Sequence, residues 1–447
     1  MNIIYIHTHD SGKFFEPYGY HLPTPNIKQL AEEGALFRHC YNTAPTCSPS
    51  RSGMLTGMTP HSCGMLGLAH RGWQLNDYSQ HLVQYLNQKG LDTILCGIQH
   101  EAPETEMIGY SKVLGVQNYD MDDTLQDRAA WDLENARSVA GYLRDYADSN
   151  QESPFFLSFG MFNTHREFPE PQSENAADYI KPPFPLYDCQ QNREDMAGYI
   201  ESVKVVDKCT GIVLDTLRET ELMEDTLIIF TTDHGIAFPR MKCNLYDTGI
   251  GVALIIKSPH TDQKGIVTDE LVSQLDIFPT ICDLLDMETP EHLQGQSLRP
   301  LLEGKNEKIR DEIFAEVTYH AAYEPMRCVR TERYKLIKFF DFHNNIVPAN
   351  IDDSLSKDFL LERDYLNNCR EKEMLFDLHL DPVERENLID DPRYSEIYND
   401  LSRRLGDWME ETDDPLLDHA YRVPLCEGAF ANKRTTVSPR ADDFEEG

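Results

Sequence analysis

The sequence predicts an α/β protein with one large, mostly parallel sheet that has helices on both faces. A smaller C-terminal α+β domain with an antiparallel sheet is predicted to follow it. Before Gly304, apolar β-branched runs alternate with segments of helical periodicity, which is typical of a parallel sheet. After Gly304, short strand patterns follow one another closely, which favours an antiparallel meander. The length of 447 residues also exceeds what one ordinary core organises.

The elements of the large sheet are marked by apolar runs with turn residues between them. The predicted strands are Asn2–Thr8, Ala35–Phe37, Asp92–Gly97, Pro154–Phe159, Thr226–Thr232 and Gly251–Lys257. The predicted helices begin at Thr24, where Pro25 favours a first turn, and cover Ser79–Lys89, Asp132–Asp148 and Met196–Leu217. The proline-rich stretch 167–193 is expected to be a surface loop.

The C-terminal part shows strand patterns at Ile313–Thr318, Met326–Thr331, Tyr334–Phe340 and Glu373–Leu378, followed by a helix at Tyr394–Glu411. We therefore expect a domain at 1–310 and an α+β domain at 311–412. An irregular acidic tail is expected at 413–447, which ends in the run Ala441–Glu446.

Charge and cysteine content limit the partners and the compartment. A formal net charge of −35 argues against nucleic acid, since phosphate binding needs a basic face. No apolar run is long enough for a membrane span, and Met1 is followed at once by a strand pattern rather than by a signal peptide. The 11 scattered cysteines form no CxxC pair. We therefore expect reduced thiols and a cytoplasmic protein.

Polar side chains follow several of the predicted parallel strands. His9 and Asp10 follow the first strand, Asp233 and His234 follow Thr226–Thr232, and His100 and His165 follow two others. Because the carboxyl ends of parallel strands meet at one edge of a sheet, these residues are expected to share a site. Adjacent carboxylates and imidazoles indicate a metal site there.

The stretch Thr46–Gly57 predicts a helix with a thiol at its start. Ser48 is expected to cap the free amides, and Pro49 is tolerated in the first turn because it has no N–H. The helix N-terminus favours an anion beside Cys47, and Arg51 adds a cation whose fork suits sulfate or phosphate.

The string Cys47-Ser48-Pro49-Ser50-Arg51, with Leu55-Thr56-Gly57 after it, resembles the sulfatase signature, Cys-X-Pro-X-Arg followed by Leu-Thr-Gly. The order of elements likewise resembles the sulfatases of the alkaline phosphatase superfamily. Further stretches look like the heparan N-sulfatase branch of that family (the N-sulfoglucosamine sulfohydrolases): 64–68, Phe238-Pro239, 244–246, 325–327 and 375–382.

The resemblance implies a hydrolase whose nucleophile comes from a modified cysteine. Cys47 would be oxidised to formylglycine (3-oxoalanine) by a formylglycine-generating or an anaerobic sulfatase-maturing enzyme. The hydrated aldehyde would then attack sulfur, and His100 or His165 would protonate the leaving atom. The catalytic residues carried over from the family are Cys47, Arg51, His100, His165 and Lys242.

The resemblance also implies one divalent cation, usually calcium, held by His9, Asp10, Cys47, Asp233 and His234. His9 replaces the family's first aspartate. Because the set holds two imidazoles, manganese or zinc would also suit it.

Substrate binding is implied for Lys242 and His100, and we expect Arg71 and Arg327 to complete the pocket. Two departures from the family pattern are present: Ile98 replaces a sulfate-binding lysine, and Met58 replaces a common arginine. Arg71 or Lys181 would supply the missing cation.

Three functions are compatible with these residues. The first is a sulfatase (sulfuric ester or sulfamate hydrolase) that acts on a small sulfated saccharide in glycan degradation. The alternatives are a phosphonate or phosphate ester hydrolase of the same superfamily and a catalytically silent protein that binds sulfated glycans. A short substrate is favoured because a net charge of −35 repels long polyanions.

Overall fold

The structure is a computed structural model that describes residues 1–116, 125–149, 153–173, 175–259, 261, 263–305, 308–418 and 422–445. The strands are β1 (Asn2–Thr8), β2 (Ala35–Tyr41), β3 (Asp92–Gly97), β4 (Lys112–Leu114), β5 (Phe155–Gly160), β6 (Thr226–Thr232), β7 (Leu254–Lys257), β8 (Ile266–Ser273), β9 (Glu312–Tyr319), β10 (Tyr323–Thr331), β11 (Tyr334–Phe339) and β12 (Glu373–Asp377). The α-helices are α1 (Pro25–Glu33), α2 (Cys47–Thr56), α3 (Pro60–Cys63), α4 (Leu82–Gln88), α5 (Leu125–Asp148), α6 (Gln190–Glu219), α7 (Asp247–Ile250), α8 (Ile277–Leu284), α9 (Arg299–Leu302), α10 (Leu355–Leu361) and α11 (Ser395–Glu411).

The large sheet has the strand order β4-β3-β5-β1-β6-β7-β2-β8. Within the described residues, β7 is the one strand that runs against the others, because it pairs antiparallel with both β6 and β2. The prediction of a mostly parallel sheet is therefore confirmed. Sequence reasoning missed β4 and β8, which form the two edges and have partly exposed residues without a continuous apolar run.

Helices cover both faces of this sheet, as predicted. On β1, Ile3 and Tyr5 point to one face and pack with residues of α2, α4 and α8. Ile4 and Ile6 point to the other face and pack with α1, α5 and α6. This alternation follows from the two-residue period of a strand, and it places the central strand β1 between two hydrophobic layers. Among the described residues, no helix is both long and apolar enough to span a lipid bilayer.

The second sheet is antiparallel, in the order β12-β11-β10-β9, which confirms the predicted C-terminal meander. One of its faces packs against α11 through a cluster that includes Val329, Leu405 and Trp408. Its other face packs against the large domain, in a hydrophobic cluster that contains Val317 and Leu245. The boundary near residue 310 stays a prediction, since the two parts share this buried contact.

The described residues of the C-terminal stretch form a loop that closes on itself and on the main body. We call residues 431–445 the C-terminal loop. The Lys433 amide donates to the Asp443 carbonyl at 3.0 Å, and the Glu445 amide donates to the Ala431 carbonyl at 2.9 Å. Asn432 anchors the loop, because its amide donates to the Ala321 carbonyl at 2.7 Å. Glu446, the last acidic residue of the predicted tail, lies outside the described residues.

Candidate active site

The site lies where two neighbouring strands end. Strands β1 and β6 are parallel and in register, with Thr8 opposite Thr232, so the residues that follow them meet. The Asp10 amide donates to Asp233 Oδ1 at 2.9 Å, and this bond joins the two strand ends. Asp10 adopts a positive φ of 41°, which turns the chain sharply at this point. The predicted meeting of strand-end residues is therefore present.

Helix α2 brings Cys47 to the same place. Cys47 is the first residue of the helix, and its Sγ lies 3.3 Å from His234 Nε2 and 4.0 Å from Asp10 Oδ1. The prediction that Ser48 caps this helix is wrong. Ser48 is the second helical residue, and its hydroxyl accepts a hydrogen bond from the Ala69 amide at 2.9 Å.

The ligand atoms of His9, Asp10, Cys47 and Asp233 all lie within 4.8 Å of one another, and all four side chains are buried. His234 lies beside this group, with Nε2 3.3 Å from Asp10 Oδ1. Its Nδ1 is 3.0 Å from the Gly235 carbonyl, which can only accept a hydrogen bond. Nδ1 of the His234 ring therefore carries a proton, and Nε2 is the ring nitrogen that faces the cluster.

This cluster fits a divalent cation. Neither ring nitrogen of His9 makes a hydrogen bond of good geometry within the described residues, although Nδ1 is 3.2 Å from Asp233 Oδ2. Buried polar atoms without partners are rare, so this imidazole has a coordination position to offer. Burial and the nearby Arg51 lower the pKa of His9 from 6.5 to about 4, which keeps the ring in the neutral form that binds metals.

Arg51 binds a residue of the cluster and does not line the cavity described below. Its side chain is 1% exposed, with Nη2 3.1 Å from Asp233 Oδ2 and 2.8 Å from the Thr8 carbonyl. A third contact joins Nη1 to His7 Nδ1. Burial raises the pKa of Asp233, but His234 and Arg51 outweigh burial and hold that pKa well below 3.8. Asp233 and the Thr8 carbonyl therefore occupy the fork of Arg51, which favours a positioning role for this residue. Its part in catalysis stays a prediction.

Lys242 provides a cation at the edge of the cluster. Its Nζ lies 2.8 Å from Asp10 Oδ2 and 3.0 Å from Asp352 Oδ2. Burial lowers the pKa of Lys242, but Asp10 and Asp352 outweigh burial and raise that pKa well above 10.5. The ammonium therefore stays charged over the whole working range of pH.

Imidazoles line the opposite wall. The ring of His165 lies edge-on to His9 at 5.6 Å between centroids, and its Nδ1 donates to the Arg166 carbonyl at 2.5 Å. His100 Nε2 pairs with His70 Nδ1 at 2.9 Å. Burial lowers the pKa of His165, and it lowers the pKa of His100 and His320 well below 6.5. These rings are neutral near pH 7 until a negative charge arrives beside them.

These groups surround one cavity of about 820 Å³. Its cationic lining residues are Arg71, Arg128, Arg166, Lys242 and Arg440, against the acidic residues Glu167, Asp352 and Asp353. Cations therefore outnumber acids among the lining residues, although Arg166 is already paired with the buried Asp195. On a strongly acidic protein this local excess of positive charge suits an anionic substrate. Ile98 also lines the cavity, where the family resemblance implied a lysine.

Arg71 lines this cavity as expected, but its guanidinium is already engaged. It donates to Asn432 Oδ1 at 2.8 Å, to the Pro439 carbonyl at 2.7 Å and to the Ala321 carbonyl at 3.3 Å. Lys181 does not line the cavity; its side chain is exposed in the loop before α6. Arg71 therefore holds the C-terminal loop in place.

The expectation that Arg327 binds substrate is wrong. Arg327 is fully buried between β9 and the end of α11, where Nε donates to Asp414 Oδ2 at 2.6 Å and Nη2 lies 3.1 Å from Glu316. His61 also contacts this group, with Nδ1 2.7 Å from Glu316 Oε1. Alternation along β10 turns Arg327 inward, so this residue stabilises the core of the C-terminal part.

Sequence reasoning missed several residues that the fold brings to the cavity: His70, Arg128, Glu167, His320, Asp352, Asp353 and Arg440. None of them belongs to the Cys47 string or directly ends one of the predicted strands. His70 was the easiest of them to predict, since it directly precedes Arg71 in the sequence. Asp352 and Arg440 come from irregular segments whose position depends on tertiary packing.

Comparison with known proteins identifies the class. The sequence model of the family described as "Sulfatase" matches residues 1–287, and that described as "N-sulphoglucosamine sulphohydrolase, C-terminal" matches residues 234–349. The chain therefore belongs to the sulfatase family, within the alkaline phosphatase superfamily, and it is a sulfatase enzyme.

Individual relatives agree with this assignment. N-sulphoglucosamine sulphohydrolase of Homo sapiens is 29% identical over 88% of this chain and 86% of its own length. An ulvan-active sulfatase of Formosa agariphila is 26% identical over 90% of this chain and 78% of its own length. A solved structure in complex with its substrate D-glucosamine-2-N,6-O-disulfate superposes with a TM-score of 0.69, at 19% identity, over 92% of this chain and 98% of that one.

Proposed function

We propose that this sulfatase releases sulfate from the end of a small sulfated saccharide, with glucosamine N-sulfate as the first candidate. The cluster of Cys47 with His9, Asp10 and Asp233 at the base of a locally positive cavity carries the proposal. Two relatives support the sugar. One is named as an N-sulphoglucosamine sulphohydrolase, and the other was solved with a glucosamine disulfate.

Cys47 is proposed to act after conversion to formylglycine, whose hydrate would supply the oxygen nucleophile. The unmodified thiol is poorly suited to attack. Burial raises the pKa of Cys47 well above its usual range, and Asp10 and Asp233 add to the effect. A neutral thiol is a weak nucleophile, which supports a modified side chain as the attacking group. A maturing enzyme of the host is the implied partner.

His9, Asp10, Asp233 and His234, with residue 47, are proposed to hold one divalent cation, with calcium as the first candidate and manganese or zinc as competitors. When bound, the cation would offset negative charge on the nucleophile and on the sulfate. Arg51 keeps Asp233 ionised and in place for this purpose, since it donates to that carboxylate through Nε at 3.2 Å.

Lys242 and the start of α2 are proposed to bind the sulfate oxygens. Sulfur is hard to attack because its oxygens repel a nucleophile, and fixed cations and amide dipoles in a buried site reduce that repulsion. His165 would protonate the departing nitrogen or oxygen through Nε2, since Nδ1 is engaged with the Arg166 carbonyl. The negative charge of the bound substrate raises the pKa of that ring toward the working range.

The test is sulfate release by protein co-produced with a maturing enzyme. The substrates are glucosamine N-sulfate, the matching 6-O-sulfate, a sulfated disaccharide, intact heparan sulfate and an aryl phosphonate ester. We expect the highest kcat/KM on a mono- or disaccharide and much slower release from the polymer per available end. Faster turnover of the phosphonate ester than of every sulfated sugar, or preference for the polymer, would overturn the proposal.

A further inference from the structure

The C-terminal loop forms part of the wall of the substrate cavity. Pro439 and Arg440 line the same cavity as Cys47 and Lys242, although they are almost two hundred residues or more away in the chain. The loop lies beyond the residues matched by either family model, which end at 287 and 349. Neither family model therefore describes this part of the cavity wall, and its position follows from the contacts of the loop.

Polar contacts hold the loop in one position. Asn432 is 0% exposed, and the Arg71 guanidinium binds both Asn432 and the Pro439 carbonyl. Lys357 Nζ donates to the Val437 carbonyl at 2.7 Å. Because backbone carbonyls on both sides of Ser438 are bound, the contacts of the fold place the backbone at Arg440 beside the cavity.

Arg440 reaches across the mouth of the cavity. Its Nη1 lies 2.9 Å from Oε1 of Glu167, in the loop that follows β5. The two side chains are 65% and 54% exposed. An exposed ion pair of this kind contributes little to stability, so an anionic ligand can take the place of Glu167 at small cost.

We infer that Arg440 is a specificity-determining residue that binds an anionic group on the sugar next to the one that loses its sulfate. This inference rests on the proposed function. A cavity of about 820 Å³ has room for more than one sugar ring, since pockets for drug-sized ligands measure roughly 300–1,000 Å³. The group bound would be a uronate carboxylate or a second sulfate, both of which match the planar fork of a guanidinium.

The experiment measures kcat and KM of the full, matured protein on three disaccharides with the same sulfated first sugar. The second sugar carries a carboxylate, a sulfate or only hydroxyls. Arg440→Ala should raise KM about fivefold for one or both anionic disaccharides and leave kcat unchanged. A fivefold change corresponds to about 1 kcal/mol. The KM for the neutral disaccharide should change far less.

Glu167→Gln supplies the opposite perturbation. It removes the competing carboxylate and retains the shape, so KM for the anionic disaccharides should fall. Arg393→Ala is the matched charge control, because Arg393 is 81% exposed, pairs with Asp391 and does not line the cavity. Its kinetics should equal those of the wild type. The effect of Arg440→Ala should also shrink in high salt, since salt screens an exposed contact.

Two results would overturn the inference: KM values that rise equally for neutral and anionic disaccharides, or KM values that do not change in Arg440→Ala. If Arg440→Ala lowers the thermal midpoint, the KM of Glu167→Gln decides instead. An unchanged KM for the anionic disaccharides in that variant overturns the inference. Failure of the proposed function would look different, because the wild type would then release no sulfate from any of the three.

Discussion

Replacement of Lys242 by methionine removes the ammonium that two carboxylates of the site share. Lys242 Nζ contacts Asp10 Oδ2 at 2.8 Å and Asp352 Oδ2 at 3.0 Å, and the Lys242 and Asp10 side chains are 4% and 0% exposed. Methionine keeps the length and apolar volume of the stem and removes only the ammonium. The variant therefore leaves two carboxylates facing each other without their shared cation.

Two effects should follow, and their sizes can be stated separately. Loss of one partner of a buried ion pair costs about 3–5 kcal/mol of stability, and the lower end applies here because Asp352 is 16% exposed. Loss of a single positioned group that stabilises transition-state charge costs about 10²–10³ in kcat. We therefore expect a lower thermal midpoint and a kcat that falls by about that factor.

The assay is sulfate release from a sulfated monosaccharide, with the thermal midpoint measured on the same preparation. Lys257→Met is the matched control, since Lys257 is a 5% exposed lysine whose Nζ donates to the Met223 carbonyl at 3.0 Å, away from the cavity. Lys242→Arg keeps the charge and should recover part of the activity. A kcat of Lys242→Met within tenfold of the wild type would refute the proposed role.

Three further outcomes are expected. Arg327→Met should lower the free energy of unfolding by about 3–5 kcal/mol in a denaturant titration, because Asp414 and Glu316 lose their buried partner, and KM should stay unchanged. Stability should be full above pH 6.5 and fall as the pH drops toward 4, because burial lowers the pKa of His9 and His70 to about 4 while the unfolded chain takes up protons near 6.5; a flat thermal midpoint over that range would contradict this. Removal of divalent cations with a chelator should lower the thermal midpoint. The lost stability should be about 2.7 kcal/mol if the cation had been present at 100 times its Kd, and the change in midpoint should disappear in His9→Ala.

The predictable part of the fold came from local patterns. Strands such as Asn2–Thr8 and Thr226–Thr232 are apolar runs buried on both faces, so their periodicity and their polar ends can be read directly. The meeting of Asp10 with Asp233 then follows, because parallel neighbouring strands end at the same edge. The edge strand β8 lacks this signal, since its first residues alternate between half-buried and exposed.

The parts of the site that were missed depend on contacts distant in sequence. Nothing near Arg327 shows that β10 turns its guanidinium toward Asp414, which lies 87 residues away. Serine is a residue type that favours helix caps, yet the Ser48 hydroxyl accepts a hydrogen bond from the Ala69 amide. Arg440 stands in a segment whose position is set by Arg71 and Lys357, so no local pattern could place it at the cavity.

Residue 47 is the centre of the proposed mechanism, in which it acts as a modified side chain within the proposed metal-binding cluster. The most direct measurement is the mass of the proteolytic peptide that contains Cys47, taken on preparations matured to different extents, together with the specific activity of each preparation. The specific activity should rise in proportion to the fraction of aldehyde at residue 47, and it should be absent where only cysteine is found. Full activity in a preparation that contains only unmodified Cys47 would contradict this mechanism.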